Sequence, residues 1–234
     1  MGGSKERASA GTVGAIVLAA GRSRRMAGPD KVIVPLGGRP LVAHALSVLN
    51  ESPLIDAIVL VMSSHNLESG RLLAPEFEKV IDVCLGGDRR QDSVRNGLDR
   101  LLQSEWIVVH DGSRFAIDET MIARGLAVAE NHGAAVAAVP SKDTIKLVDH
   151  DMLVTKTLPR DSLWLVQTPQ VFRADILRRA HREITIEVTD DASMIEMIGG
   201  SVGVFMGAYD NIKVTTPEDM PIAEAILRAR GATQ

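Results

Sequence analysis

Short apolar runs rich in β-branched residues alternate with longer segments of helical period along most of this chain. Strands that are apolar throughout are typical of a parallel sheet buried on both faces, because the helical crossovers cover those faces. The alternation therefore predicts an α/β fold with a doubly wound, mostly parallel sheet and helices on both faces. The runs interpreted as strands are residues 13–20, 57–62, 79–85, 106–110 and 134–140.

The helical segments fall between these strands and carry end signals. Pro40 suits the start of a helix that continues to residue 49, because proline has no backbone N–H to leave unpaired there. Either Asp118 or Thr120 could cap a helix that ends near Gly133. The other elements interpreted from the pattern are helices at 92–102, 174–183 and 190–197, a strand at 201–205 and a final helix that begins near residue 217.

The alternation breaks between residues 142 and 172, where short β-rich pieces are joined by polar turns. This pattern predicts a protruding β-hairpin arm, assigned to residues 142–166, on a single domain that spans residues 12–234. Residues 1–11 are rich in glycine, serine and basic side chains, and we interpret them as a flexible tail. The β-rich pieces of the arm are residues 144–148, 153–158 and 163–166.

Composition excludes several classes of protein. A chain of 234 residues can bury a core without disulfide or metal support, and a single cysteine, Cys84, is usual for a reducing compartment. Aromatic residues make up 3% and the net charge is -4, so neither stacking platforms nor a basic nucleic-acid surface is expected. No apolar stretch approaches the roughly 18 residues of a membrane span. We therefore expect a cytoplasmic protein that binds neither nucleic acid nor membrane.

The first strand leads into a glycine turn that carries several arginines. Ligands of open α/β sheets bind at the carboxyl ends of strands, where free backbone N–H groups and guanidinium groups can hold phosphate oxygens. Gly21, Arg25 and, further along the same connection, Lys31 are thus candidates for an anion site. A solvated basic loop and a surface lysine are the alternatives that this pattern leaves open.

Two glycines after the third strand form a second candidate turn for a ligand. Gly86 and Gly87 would let the backbone approach a flat ligand closely, and Ser93 in the first turn of the next helix could donate to it. The alternative is an ordinary strand-to-helix turn that is capped by Asp88 or Asp92.

Acidic and basic residues follow later strands. Asp111 comes at the end of the fourth strand, where a carboxylate can hold nucleotide-bound Mg²⁺, since this ion prefers one or two carboxylates with phosphate oxygens and water. Asp210 could complete that ion site and Lys213 could meet the anion, although Asp-Asn is also a common turn pair. His110 could act as a base, but a histidine at the end of a strand is more often packed and hydrogen-bonded.

Two other kinds of phosphate site lack their motifs. The chain has no G-x-x-x-x-G-K-[ST] phosphate loop and no G-x-G-x-x-G dinucleotide fingerprint after its first strand. Cations for phosphate together with a carboxylate for Mg²⁺ point instead to nucleotidyl or phosphoryl transfer. In such reactions the protein positions the reactants and stabilises charge.

The candidate residues belong to an ordered set of motifs that covers about residues 13–228. The set comprises Ala19-Ala20-Gly21-x-x-Arg24-Arg25-Met26, Lys31, Gly86-Gly87-Asp88-x-Arg90, Asp92-Ser93-Val94, Val109-His110-Asp111, Asp143-Thr144, Gln167-Thr168-Pro169-Gln170, Thr189-Asp190-Asp191-Ala192-Ser193 and Asp210-Asn211-Ile212-Lys213. Taken together, these motifs resemble the 2-C-methyl-D-erythritol 4-phosphate cytidylyltransferases of the non-mevalonate isoprenoid pathway.

The resemblance implies a Rossmann-like nucleotidyltransferase fold and an enzyme that uses CTP, 2-C-methyl-D-erythritol 4-phosphate and Mg²⁺ or another divalent cation. The phosphate oxygen of the acceptor would attack the α-phosphorus of CTP directly and release pyrophosphate. By this resemblance Arg25, Lys31 and Lys213 are catalytic, Ala19, Ala20, Gly21, Gly87, Asp88 and Ser93 bind the nucleotide, and Asp111 and Asp210 hold the metal.

The resemblance also implies a homodimer in which the arm of one subunit reaches the site of the other. Thr144 and Arg160 on the arm would bind the acceptor in the partner's site, and Thr189 would complete that site from the main domain. Members of the family commonly have alanine where Gly112 follows the candidate metal carboxylate, so we expect a more freely moving backbone there. Two alternatives stay open: a cytidylyltransferase for another polyol phosphate such as ribitol 5-phosphate, and a non-catalytic nucleotide-binding subunit.

Overall fold

The computed structural model of the chain describes residues 11–21 and 31–231. The strands in these ranges are β1 (Val13–Ala19), β2 (Pro35–Leu36), β3 (Arg39–Pro40), β4 (Ala57–Met62), β5 (Val80–Leu85), β6 (Trp106–Asp111), β7 (Ala134–Pro140), β8 (Lys146–Val148), β9 (Val154–Thr157), β10 (Trp164–Arg173) and β11 (Gly203–Met206). The helices are α1 (Leu41–Glu51), α2 (Leu67–Leu73), α3 (Arg90–Leu98), α4 (Glu119–His132), α5 (Ala174–Glu183), α6 (Asp191–Met197) and α7 (Asp219–Gly231), with short 3₁₀ turns at Lys31–Ile33, Ala74–Glu76 and Arg160–Ser162.

Seven of these strands form the central sheet, in the order β11-β7-β10-β6-β1-β4-β5. β1 pairs in parallel with β4 and β6, and the parallel pairing extends to β5 at one edge. β10 runs antiparallel between β6 and β7, and β11 pairs in parallel with β7. The prediction of a mostly parallel α/β sheet is confirmed.

Successive residues of β1 show why both faces of the sheet are apolar. Ala15 and Val17 pack in the cluster beneath α1 and α4, whereas Ile16 packs in the cluster beneath α3, α5 and α6. Side chains of a strand alternate between the two faces, so a strand covered on both sides has no position for a solvated residue. The carboxyl ends of β1, β4, β5 and β6 consequently meet at one edge, where turns are free to carry polar groups.

Local signals predicted some helix ends well. Asp118 caps α4, because its Oδ1 accepts a hydrogen bond from the N–H of Met121 at 2.8 Å. Gly133 ends the same helix in the left-handed region, with φ of 81°, where a residue without Cβ is least strained.

The bounds predicted for the helix at 92–102 are wrong, because α3 spans Arg90–Leu98. Arg89 and Asp92 form a reciprocal capping pair that starts the helix before the apolar period begins. The helix also ends earlier, and Leu102 is 68% exposed. An apolar period thus locates the buried face of a helix more reliably than its ends.

The arm is the hairpin of β8 and β9, whose residues are exposed. The sequence pattern places residues 163–166 in the arm, but Trp164 already belongs to β10 and pairs with Pro140 of β7. The assignment is wrong because the chain returns from the arm directly into a long strand of the central sheet. Tyr209 fixes the base of the arm: its hydroxyl donates to the carbonyl of Pro140 at 2.9 Å, and Nζ of Lys142 lies 3.6 Å from its ring centroid.

Within the described ranges, the helices are too short or too polar to cross a membrane.

Candidate functional site

Two cavities lie next to each other at the carboxyl edge of the sheet. The first cavity, of about 240 Å³, lies among the turns that follow β1, β5 and β6, and the second, of about 430 Å³, lies between β10 and α6. Arg90, Asp111 and Lys213 line both cavities and form the boundary between them. The first cavity brings together these predicted residues: Ala20, Gly21, Lys31, Gly87, Asp88, Ser93, Asp111 and Lys213.

The turn after β5 needs glycine because two other segments approach it closely. A Cβ on Gly86 would lie 2.3 Å from Cβ of Ala20, and one on Gly87 would lie 2.4 Å from Cβ of Asp92. The N–H of Gly87 donates to Oγ of Ser93 at 3.1 Å, which holds the turn against the start of α3. The turn is therefore a capped strand-to-helix connection that also forms part of a cavity wall, so the two interpretations of the sequence are compatible.

Asp111 is a buried carboxylate that faces cations on both sides of the boundary. Its Oδ2 lies 2.6 Å from Nζ of Lys213 and its Oδ1 lies 3.7 Å from Nε of Arg90. Burial alone would raise the pKa of Asp111, but the charges of Arg90 and Lys213 outweigh it and hold the pKa well below its usual range. The boundary thus carries two cations and one ionised carboxylate.

His110 is part of the support beneath Asp111. Its Nε2 donates to the carbonyl of Arg114 at 2.8 Å, and its Nδ1 accepts from the hydroxyl of Thr168 at 3.1 Å. Oγ1 of Thr168 in turn accepts from the N–H of Asp111 at 3.0 Å. His110 is fully buried, and burial lowers its pKa to about 4, so the ring is neutral near pH 7. The packed interpretation is favoured over the general base.

We expect His110 to make unfolding easier in weak acid. Its pKa is about 4 in the folded protein and near 6.5 in the unfolded chain, so the unfolded chain takes up the proton first as the pH falls. The free energy of unfolding should therefore fall by about 3 kcal/mol between pH 6.5 and pH 4 from this group. Urea unfolding of the wild type and of His110→Gln across this range measures it, because glutamine does not titrate. Equal pH dependence of the two proteins would contradict the expectation.

The loop that carries Lys213 is anchored by a buried asparagine. Nδ2 of Asn211 donates to the carbonyl of Thr168 at 2.8 Å, and the carbonyl of Asn211 accepts from Nη1 of Arg114 at 2.6 Å.

The N–H of Gly112 donates to the carbonyl of Leu18 at 2.8 Å, and a Cβ on Gly112 would meet that oxygen at 3.1 Å. The expectation of a more freely moving backbone after Asp111 is therefore not supported, because this segment is held on several sides.

The second cavity is lined by charged and by uncharged polar groups. Arg90, Arg114 and Lys213 are its basic residues, and most of the others carry hydroxyl, amide or carboxylate groups. Asp190 caps α6 by accepting from the N–H of Ser193 at 3.1 Å, and both residues line the cavity. Besides Asp111, the lining residues with hydroxyl, amide or carboxylate groups are Gln167, Thr168, Gln170, Thr189, Asp190, Ser193 and Glu196.

Several predicted site residues lie elsewhere. Asp210 is not among the residues that line the two cavities, and both its carboxylate oxygens accept from Arg230, at 2.8 and 2.9 Å. The prediction that it completes the metal site is not supported, because its carboxylate is engaged by α7.

Ala19 lies behind the cavity wall and is 1% exposed. Arg25 lies outside the described residues. Thr144 and Arg160 are exposed on the arm segment.

The residues present fit a divalent cation as a partner of a phosphate ligand. Among the described residues there is no group of three histidine, cysteine or acidic side chains that could hold a metal by itself. Mg²⁺ does not need one, since it commonly binds one or two carboxylates, phosphate oxygens and water. Asp111, ionised and at the cavity boundary, provides a carboxylate of this kind.

Four further residues line a cavity although the sequence pattern predicts no role for them: Arg90, Ser113, Arg114 and Thr168. Arg90 stands at a fixed position in the Gly86-Gly87-Asp88 motif, so the motif was the signal for it. Thr168 stands in the Gln167-Thr168-Pro169-Gln170 motif, but its contact with Asp111 could not be predicted from the local pattern, because the two residues are 57 positions apart in the chain.

A family model described as 2-C-methyl-D-erythritol 4-phosphate cytidylyltransferase matches residues 13–229. The curated protein of that name from Dehalococcoides mccartyi strain 195 is 52% identical over 218 residues, which cover 92% of this chain and 96% of the relative. The one from Pelotomaculum thermopropionicum is 42% identical over 226 residues, which cover 93% and 95%.

Solved structures agree with these sequence relatives. The crystal structure of 4-diphosphocytidyl-2C-methyl-D-erythritol synthase from Anaerococcus prevotii has a TM-score of 0.84 at 30% identity, covering 93% of this chain and 99% of that one. The 2-C-methyl-D-erythritol 4-phosphate cytidylyltransferase from Thermus thermophilus has a TM-score of 0.76 at 29% identity, covering 92% and 98%.

Proposed function

Because this chain belongs to the 2-C-methyl-D-erythritol 4-phosphate cytidylyltransferase family, we propose that it transfers the cytidylyl group of CTP to 2-C-methyl-D-erythritol 4-phosphate. The products are 4-diphosphocytidyl-2-C-methyl-D-erythritol and pyrophosphate. The observation that carries this proposal is the boundary of Arg90, Asp111 and Lys213, which belongs to both cavities. Joining two phosphates requires charge stabilisation where the two substrates meet, and two cations converge at that place.

CTP is assigned to the first cavity. The glycine turn at Gly86 and Gly87 presents close backbone to a flat base, with Asp88 and Ser93 beside it. Lys31 lines the same cavity from the opposite connection and is placed to contact the phosphates. Arg25 is proposed as a further phosphate ligand from the family motif.

The acceptor is assigned to the second cavity, whose polarity matches a sugar-alcohol phosphate. The phosphate would lie at the boundary, where Lys213, Arg90 and Arg114 carry positive charge, and the hydroxyl groups would lie towards Thr189 and Ser193. This orientation brings an acceptor oxygen next to the α-phosphate of CTP, as a direct displacement requires.

In the displacement, the acceptor oxygen forms a bond to the α-phosphorus while the bond to the bridging oxygen of the pyrophosphate group breaks. Lys213 and Arg90 stabilise the negative charge that spreads over the α-phosphate oxygens. Asp111 would hold Mg²⁺ or another divalent cation, which supplies additional positive charge to the phosphates when bound. The buried contacts of Asn211 and Thr168 keep Lys213 and Asp111 in place.

We further propose that the active protein is a homodimer formed through the arm. Apolar residues of the arm are exposed, with Leu153 at 64% and Val154 at 59%, and such a surface favours a protein partner. Thr144 and Arg160 would then reach the acceptor in the partner's second cavity. A cytoplasmic location is proposed as well, since the one cysteine, Cys84, suits a reducing compartment.

The proposed reaction is tested by following pyrophosphate release with CTP, Mg²⁺ and one polyol phosphate at a time. We expect release with 2-C-methyl-D-erythritol 4-phosphate and much slower release with ribitol 5-phosphate. Faster release with ribitol 5-phosphate would transfer the assignment to that acceptor. Binding of CTP without release for either acceptor would support a non-catalytic nucleotide-binding subunit instead.

A further inference from the structure

We propose that Asp191 is a positioning residue that holds Arg90 at the boundary of the two cavities, and that Arg90 is a catalytic residue which donates to a substrate phosphate there. The inference rests on the proposed function, because it takes the two cavities to bind phosphates. Its observations, however, concern contacts within the protein alone.

Arg90 is suited to contact both substrates. It is the first residue of α3 and lines both cavities, with a side chain that is 26% exposed. Nε points towards Asp111 at 3.7 Å, and Nη1 bonds to a carboxylate oxygen of Asp191. Within the described ranges no hydrogen bond involves Nη2, so this end of the guanidinium retains donors for a phosphate oxygen.

Asp191 supplies a counter-charge from behind the cavity wall. It is the first residue of α6 and is fully buried, so its contact with Arg90 is shielded from solvent and salt. Burial alone would raise the pKa of Asp191, but the charge of Arg90 lowers it, so the carboxylate is ionised. A buried carboxylate of this kind is stable only while a cation stays beside it.

His181 closes the other side of Asp191. It comes from α5 and is 4% exposed, and its Nε2 lies 3.3 Å from Oδ1 of Asp191. The two atoms meet the distance of a hydrogen bond but not its angle, since neither has a hydrogen-bond partner of good geometry among the described residues. The imidazole thus lies against Oδ1 of Asp191, while Arg90 binds Oδ2 of the same carboxylate.

The position of Arg90 depends on the balance between two carboxylates. With Asp191 neutral, Asp111 would be the remaining counter-charge near the guanidinium, at 3.7 Å. Arg90 would then move towards Asp111 and compete with substrate phosphate and Lys213 for the boundary. Asp191 holds the guanidinium of Arg90 away from Asp111, so that the N–H groups of Nη2 stay available to the substrates.

A double-mutant cycle tests this inference with Asp191→Asn, Arg90→Ala and the double variant. We expect each single change to lower kcat/KM by about tenfold or more, and the double variant to be no worse than Arg90→Ala within about twofold. If Asp191 only stabilised the fold, Asp191→Asn would lower kcat/KM by the same factor with and without Arg90, and the losses of the two single variants would multiply in the double variant. Multiplying losses would overturn the proposal.

Further measurements keep the test decisive. The cycle is repeated with the dissociation constant of CTP, measured by calorimetry without an acceptor. If the wild type binds CTP but does not turn over, the proposed reaction is refuted. The binding cycle still tests whether Asp191 acts through Arg90. Asp175→Asn is the matched control, because Asp175 pairs with Arg173 in an exposed position on α5. Should Asp191→Asn fail to fold, Arg90→Lys replaces it. A lysine keeps the charge but lacks the planar fork of donors that lets Arg90 bind Asp191 and still offer N–H groups to a phosphate, so full activity of that variant would overturn the proposal.

Discussion

Lys213→Ala is expected to lower turnover by about a hundredfold or more, the loss typical of removing one charge contact made in the transition state. Nζ of Lys213 lies 2.6 Å from Asp111, and Lys213 lines both cavities. Lys31, in contrast, lines only the first of these two cavities, so it cannot replace Lys213 at the boundary. The change also removes the nearer of the two cations that face Asp111. Pyrophosphate release at saturating CTP and acceptor measures the loss.

The control for this variant is Lys79→Ala. Lys79 precedes β5, at the opposite edge of the sheet, and its Nζ donates to the carbonyl of Ser52 at 2.6 Å. This variant should lose some thermal stability and keep its turnover, because it lacks one hydrogen bond but no group at the cavities. Unchanged turnover in Lys213→Ala would remove that lysine from the reaction.

Deletion of residues 142–161 should give a folded monomer without measurable turnover. The central sheet does not need these residues, since the N–H of Ser141 already donates to the carbonyl of Leu163 at 2.9 Å and a short turn can join the two strands. The loss would come from the missing dimer contact and from Thr144 and Arg160, which we assign to the partner's site. Light scattering gives the mass, and pyrophosphate release gives the activity.

A mixture of two variants with low activity tests whether the arm of one subunit completes the site of the other. Arg160→Ala and Lys213→Ala are expected to be weak alone, but a mixed dimer has one site with both groups intact. Random exchange of subunits should therefore restore about a quarter of the sites. An active monomer after the deletion, or no recovery on mixing, would refute a site shared between subunits.

Most strands of the sheet were predictable, because an apolar run marks each of them locally. Residues 134–140 are apolar from end to end, and the same range forms β7. β10 was not predicted as a whole, because polar residues such as Gln167 and Thr168 interrupt its pattern. These side chains are buried through partners distant in the chain: Gln167 bonds to Ala208, and Thr168 to His110. A single sequence does not contain such pairings.

The site shows the same division between local and distant information. Several of the turn glycines and charged residues singled out at strand ends line the first cavity together, because parallel strands place their ends at one edge. The direction of a carboxylate depends on which cation reaches it. Asp210 meets Arg230 of α7, whereas Asp191 is buried against Arg90, and neither pairing follows from spacing along the chain.

Part of β10 is paired on both sides, whereas the hairpin that precedes it is exposed. Residues 170–172 are bonded to β6 on one side and to β7 on the other. Such a strand cannot slide by a fraction of a residue, and a slip by one whole residue would turn every side chain to the opposite face. The hairpin begins only beyond the bond between the N–H of Ser141 and the carbonyl of Leu163, at 2.9 Å, which closes its base. In the homodimer that we propose, a displacement of the hairpin would therefore leave residues 170–172 in register with both of their neighbours.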